Sequence, residues 1–244
     1  MADTGIATRL RAAGLTVREV HGWKTRGRDF AGVAPSFNPK GGVNHHTAGA
    51  SSAAGVAPSL GTIINGRVSG PEPLPGPLAN VYMDFKGTVF VVAAGVANHA
   101  GPPDGGVCRG MRGNSHAWGL EIEHPGASPL DAERVHLAAR VWAALLLGKG
   151  LPASQVVQHW EWAPSRKKDV ATNIHPGQDP TQAGFRRMIA AELRDLTKVT
   201  LWTVSSLNKD RQRVEKNVRK PGSWLDNHPG ALQRGKVVIK PKRV

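Results

Sequence analysis

The segment Gln158-His159-Trp160-Glu161-Trp162-Ala163-Pro164-Ser165-Arg166-Lys167-Lys168-Asp169 carries a histidine, a lysine eight residues later and an aspartate ten residues later. Pro164 has no backbone N–H to give to a helix or a strand, so the segment is expected to fold back as a loop. Such a loop brings His159 and Asp169 to one point, with Lys167 facing the same space. A catalytic zinc site takes three nitrogen or oxygen ligands about 2 Å from the metal and leaves a further position open. The segment offers two of the three. Gln155-Val156-Val157-Gln158, just before it, reads as a strand that delivers His159 at its end.

The third ligand is sought upstream, in Val43-Asn44-His45-His46-Thr47-Ala48-Gly49. This stretch follows Gly41-Gly42 and reads as a short strand ending in a turn. Neighbouring residues on a strand point to opposite faces, so only one of His45 and His46 looks into a given site. Between the two stretches, Trp118-Gly119-Leu120-Glu121-Ile122-Glu123 alternates as a strand with two carboxylates on one face. Together the three stretches make a His, His, Asp zinc set with a glutamate and a lysine at hand. Each residue alone has a plainer reading. A loop histidine is more often a surface group than a ligand, a lone strand glutamate is more often solvated, and an Arg-Lys-Lys run usually faces water. The joint order decides between them.

His45-His46-Thr47-Ala48, Asn98-His99-Ala100-Gly101, Gly119-Leu120-Glu121-Ile122-Glu123 and the spaced set His159, Lys167, Asp169 occur in register along the chain. In this they resemble the type 2 N-acetylmuramoyl-L-alanine amidases, the zinc family that includes the peptidoglycan recognition proteins. The opening Gly22-Trp23-Lys24-Thr25-Arg26-Gly27-Arg28, and the segment from Gly66-Arg67 to Gly76-Pro77-Leu78, look like endolysins of phages that infect actinobacteria. The resemblance covers roughly residues 15–196. It implies that His45 is the first zinc ligand, with His46 in the variable position before Thr-Ala, and that His159 and Asp169 are the second and third. It further implies Glu121 as general base, Lys167 as the lysine that stabilises the oxyanion, and Zn2+ as cofactor. His46, His99 and Asn80 are the expected substrate contacts. Two departures stand out. Many relatives continue Pro-Gly-Pro after the aspartate, where this chain has Val170-Ala171-Thr172-Asn173-Ile174-His175, which makes His175 an outside candidate ligand. Relatives also often place a histidine or aromatic residue where Asn80 and Val81 stand.

The implied activity is zinc-dependent cleavage of the amide bond between N-acetylmuramic acid and the L-alanine of the stem peptide, as in a phage endolysin lysing its host. A module of the same fold that binds peptidoglycan without cutting it, and a zinc peptidase acting on the stem peptide, are the alternatives. Bacterial peptidoglycan is the expected partner.

The chain has 244 residues, 40% of them hydrophobic, and a formal net charge of +14. That length suits one ordinary domain plus an extension. No run approaches the ~20 apolar residues of a membrane span. A single cysteine, Cys108, excludes an intrachain disulfide and a cysteine-based zinc site. Met1-Ala2-Asp3-Thr4-Gly5 has no basic start followed by an apolar stretch, so synthesis in the host cytoplasm without a signal peptide is expected, with action at the cell wall.

Along the chain, a helix is expected from Ile6 to Gly14, a strand over Thr16–Val20 and a basic, Gly- and Pro-rich rim from Gly22 to Gly41. A short helix over Ser59–Asn65 follows. Asp84-Phe85-Lys86-Gly87-Thr88 turns a hairpin between strands Ala79–Met83 and Val89–Ala94. Asn98–Asn114 reads as a long binding loop, and Ser115–Glu123 as the strand that carries Glu121. Ser128 is the expected N-cap of a helix with Pro129 in its first turn. That helix places Val135, Ala138, Val141, Trp142, Leu145 and Leu146 on one stripe and ends at Gly148. Asp179-Pro180-Thr181 opens a last helix, with Phe185, Ile189 and Leu193 inward. The fold class is therefore α/β, a mixed central sheet flanked by helices.

The expected division is a catalytic domain over 1–196 and a basic extension over 197–244. The extension holds 12 Lys or Arg against 3 Asp or Glu, which is +9 of the total charge. Its charge favours polyanions, whether anionic wall polymers, anionic lipid or nucleic acid. Of these, nucleic acid is disfavoured, because no basic stretch has the aromatic interleaving of a stacking surface.

Overall fold

The computed structural model describes residues 2–28, 36–69, 73–126, 130–170 and 183–198. In chain order the elements are α1 (Ile6–Ala12), β1 (Val17–Glu19), β2 (Gly42–His46), α2 (Leu60–Asn65), β3 (Gly66–Arg67), β4 (Leu74–Pro75), β5 (Val81–Met83) and β6 (Val89–Val91). They continue with β7 (Trp118–Ile122), α3 (Ala132–Leu147), β8 (Val156–Gln158) and α4 (His159–Trp162), and end with α5, residues 183–198. The tail beyond 198, His175 and the expected opening of the last helix lie outside the described residues.

Six strands form one sheet in the order β1-β6-β5-β7-β2-β8. All neighbours run parallel except β5 and β6, the hairpin expected from the sequence. Asp84 holds its turn by accepting the N–H groups of Lys86 and Thr88 on Oδ1, each at 2.8 Å. Parallel strands need long crossovers, and α3 supplies the one from β7 to β8, which lie on either side of β2. Gly66–Arg67 and Leu74–Pro75 pair as a separate antiparallel ribbon, which the proline-rich sequence there did not suggest.

Apart from the edge strand β1, which is half-buried to exposed, the sheet is largely covered on both faces. On one face Val81, Val91, Trp118, Leu120 and Val156 pack with Ile6 and Leu10 of α1, Trp142 and Leu145 of α3, and Phe185 and Ile189 of α5. On the other face, smaller clusters form around Val43, Met111, Val157 and Trp162, and around Ile63, Leu78, Tyr82 and Phe90. The helical stripe of α3 is core, as expected: Val135, Ala138, Val141, Trp142, Leu145 and Leu146 are all buried. Its start differs. The N-cap is Asp131 rather than Ser128, and its carboxylate accepts the Arg134 N–H and also holds the Arg134 guanidinium.

Candidate active site

Strand register assembles the site. In β2, His45 stands opposite Glu121 of β7, and Asn44 stands opposite Gln158 of β8. Partners opposite one another in a parallel pair share a face, and successive residues alternate. Asn44 and Gln158 therefore look toward α3, where the Asn44 amide donates to Gln158 Oε1 at 2.9 Å and Trp142 Nε1 donates to Asn44 Oδ1 at 3.0 Å. His45, Glu121 and His159, the residue after Gln158, consequently emerge together on the opposite face. They do so at the carboxyl ends of adjacent strands, where open α/β sheets bind their ligands.

The segment after β8 starts as the single helical turn α4 rather than as the loop expected, with His159 as its first residue. Gln158 and Glu161 cap that turn reciprocally. Arg186 of α5 grips both Glu161 carboxylate oxygens at 2.8 and 2.9 Å and donates to the Val156 carbonyl. After Pro164 the chain turns back, and the Trp160 N–H donates to the Asp169 carbonyl at 2.8 Å. That bond closes the return and sets the Asp169 side chain beside His159.

Three donor atoms converge as a result. His45 Nδ1 and His159 Nδ1 are 2.8 Å apart, and Asp169 Oδ2 is 3.0 Å from His159 Nδ1 and 3.5 Å from His45 Nδ1. One atom from each of the three residues fits within a 4.8 Å span. Ligands ~2 Å from a shared tetrahedral centre stand about 3.3 Å from one another, so the set has the spacing and the chemistry to hold a metal ion. His45 and His159 are almost wholly buried. Burial, with the neighbouring His159, lowers His45 to about 4, against the pull of Asp169. Burial would raise Asp169, but the His159 ring 3.0 Å away and the His45 ring beside it hold it well below the usual carboxylate range. A neutral imidazole and an ionised carboxylate are the forms a metal takes.

Glu121 Oε2 is closed off from solvent and has no hydrogen-bond partner among the described residues. Burial raises the Glu121 carboxyl well above its ordinary value; Asp169 and Glu123 add to the rise, and the Lys167 charge opposes it. Glu121 and Lys167 line one cleft of about 510 Å3 with His159 and Asp169. A second hollow of about 430 Å3 adjoins it across Arg67, Leu74, Asn98, His99 and Lys167.

The two carboxylates of β7 and its end have separate fates. Glu123 is fully buried. It accepts the Thr47 hydroxyl at 2.6 Å, the Ser59 N–H at 2.8 Å, the Ser59 hydroxyl at 2.9 Å and the Tyr82 hydroxyl. His46 lines the cleft, and His99 is half-buried against His45 with ring centroids 5.2 Å apart. Asn80, expected at the substrate, lies in the core instead. Its amide donates to the Ala93 and Gly95 carbonyls and its oxygen accepts the Gly119 N–H, so it ties three chain segments together. Sequence reasoning missed the supports: Asn44, Gln158, Glu161 and Arg186. Only the Gln158-x-x-Glu161 spacing, a variant of the capping box, was open to reading in advance.

No helix among the described residues is long and apolar enough to cross a membrane. No curated protein sequence matches the chain. Among solved structures, the catalytic domain of XlyA is similar at 16% identity and a TM-score of 0.47, covering 72% of this chain and 99% of that one. A mutant endolysin from Bacillus subtilis is similar at 17% identity and a TM-score of 0.47, with the same 72% and 99% coverage. The N-acetylmuramyl-L-alanine amidase AmiD from E. coli, solved with anhydro-N-acetylmuramic acid-L-Ala-D-gamma-Glu-L-Lys, is similar at 20% identity and a TM-score of 0.41, covering 61% of this chain and 57% of that one. The sequence profile of the Amidase_2 family, N-acetylmuramoyl-L-alanine amidase, matches residues 35–178. That span is more than half of the 244 residues and takes in His45, Glu121, His159, Lys167 and Asp169, and the chain belongs to the N-acetylmuramoyl-L-alanine amidase family.

Proposed function

We propose that the protein is a zinc-dependent peptidoglycan hydrolase and a phage endolysin, cutting between the lactyl carbonyl of N-acetylmuramic acid and the L-alanine nitrogen of the stem peptide. One observation carries the reading: His45, His159 and Asp169 bring three donor atoms to one point in the cleft that Glu121 and Lys167 also line. Zinc held there would supply Lewis acidity to the scissile carbonyl and to the attacking water, whose pKa falls toward ~7 in such sites.

The chain's own residues do the rest. Glu121 takes the proton of the attacking water and hands it to the departing alanine nitrogen, a shuttle worth ~100 to 10,000-fold. Lys167 donates to the oxyanion as the carbonyl becomes tetrahedral; one such donor is commonly worth ~3 kcal/mol. His46, on the cleft wall, contacts the sugar or the stem peptide.

The basic extension over 197–244 is assigned to anionic wall polymers, on its +9 charge. Retention on purified wall should then weaken as salt rises.

The test is digestion of purified peptidoglycan with and without a chelator. Expected are new N-terminal alanines and peptide-free glycan, abolished by the chelator and restored by zinc. New amino groups with glycan and peptide still joined would indicate a peptidase, and wall binding without new chain ends would indicate a recognition module.

A further inference from the structure

We propose that His99 is a positioning residue that fixes the tautomer of His45 and so aims its Nδ1 lone pair at the metal. The inference rests on His45, His159 and Asp169 being a metal centre. His99 Nε2 lies 3.1 Å from the Ala117 carbonyl oxygen. A carbonyl can only accept, so Nε2 carries the hydrogen. A neutral imidazole has one N–H, which leaves the lone pair on His99 Nδ1. That atom is 3.1 Å from His45 Nε2, and His45 Nε2 must therefore donate. The lone pair of His45 is then on Nδ1, the atom that faces His159 Nδ1 and Asp169 Oδ2. Two hydrogen bonds that run one way, from His45 to His99 and from His99 to the Ala117 carbonyl, select the ligating form.

The ring of His99 has little freedom to depart from this. It rests on Gly119 of β7, where a Cβ would come within 2.6 Å of His99 Cγ. It meets the His45 ring edge-on, with an interplanar angle of 81°. Both His99 nitrogens are engaged within the protein, so neither is left to bind substrate. Its place on the wall shared by the two hollows reflects support of His45. A histidine ligand held through its other nitrogen is both oriented and made more basic, and loss of such a partner typically costs 10–100-fold in metal affinity.

The experiment uses the full chain, stripped of metal, in three forms: wild type, His99→Phe and His99→Asn. Phenylalanine keeps the ring volume and removes both hydrogen bonds. Asparagine places Oδ1 where Nδ1 stood and keeps the acceptor for His45. Zinc affinity is read by competition with a chromophoric chelator, and the His45 tautomer by 15N chemical shifts of the ring in the metal-free protein. Expected are an Nε2–H tautomer in wild type, zinc affinity ~10–100-fold weaker in His99→Phe, and recovery of most of that loss in His99→Asn. Equal zinc affinity in wild type and folded His99→Phe overturns the proposal, as does an Nδ1–H tautomer in wild type. Should His99→Phe fail to fold, the wild-type tautomer and the His99→Asn affinity still decide. A wild type that takes no zinc overturns the metal centre itself, which the chelator titration distinguishes from equal uptake by wild type and variant.

Discussion

Glu121 and Glu123 stand two residues apart and should respond in opposite ways to the same substitution. Each Glu123 oxygen accepts from two donors: Oε1 from the Thr47 and Ser59 hydroxyls, Oε2 from the Ser59 N–H and the Tyr82 hydroxyl. In Glu123→Gln the amide nitrogen must face the hydroxyl pair, because hydroxyls can rotate to accept and the Ser59 N–H cannot. Two charge-assisted bonds are then lost or reversed and two are weakened to neutral ones. Hydrogen bonds to a charged group are worth ~1.5–3 kcal/mol and neutral ones about 1. Partial compensation leaves a loss of about 2–3 kcal/mol. At roughly 2–4 °C per kcal/mol for a chain of this size, Tm falls by about 4–12 °C. Glu121→Gln removes a buried carboxyl whose Oε2 has no partner among the described residues, so Tm should hold or rise while peptidoglycan hydrolysis drops ~100 to 10,000-fold. Thermal unfolding by circular dichroism and release of N-terminal alanine from purified wall, both on the zinc-loaded protein, measure the pair. Glu123→Gln with an unchanged Tm, or Glu121→Gln with full hydrolysis, refutes the division of labour.

Two further expectations concern the scaffold. Gly42→Ala places a Cβ 2.0 Å from the Trp142 ring; the ring is pinned by its bond to Asn44, so overpacking should cost about 3 kcal/mol, seen as a lower denaturant midpoint. Asp131→Ala removes the N-cap of α3 and should cost about 1 kcal/mol at neutral pH. Burial would raise the Asp131 carboxyl, but hydrogen bonds from the Arg134 backbone and guanidinium outweigh it and hold the folded-state pKa below the ordinary aspartate value. Its stabilising contribution is therefore complete above that value and fades as pH falls through the lower, folded-state pKa. The stability gap between wild type and Asp131→Ala, followed by urea unfolding across this acid range, should close.

The chain by itself determined the α/β class, the hairpin at Asp84, the core stripe of α3 and which three residues converge at the site. Periodicity, turn residues and the spacing of His159, Lys167 and Asp169 are local properties, and the order of motifs is written in one dimension. Glu121 could be told from Glu123 only through the resemblance, since both point to one face of a strand. What separates them physically is what packs on that face: Thr47, Ser59 and Tyr82 come from three other places in the chain and surround only Glu123. Asn80 was misread for the same reason, because its partners at Ala93, Gly95 and Gly119 become neighbours only when β5, β6 and β7 lie side by side. The choice between His45 and His46 has a structural cause too. Register sets Asn44 against Gln158 and so sends His45 and His159 out on the same face, and register is a property of paired strands that no single stretch contains.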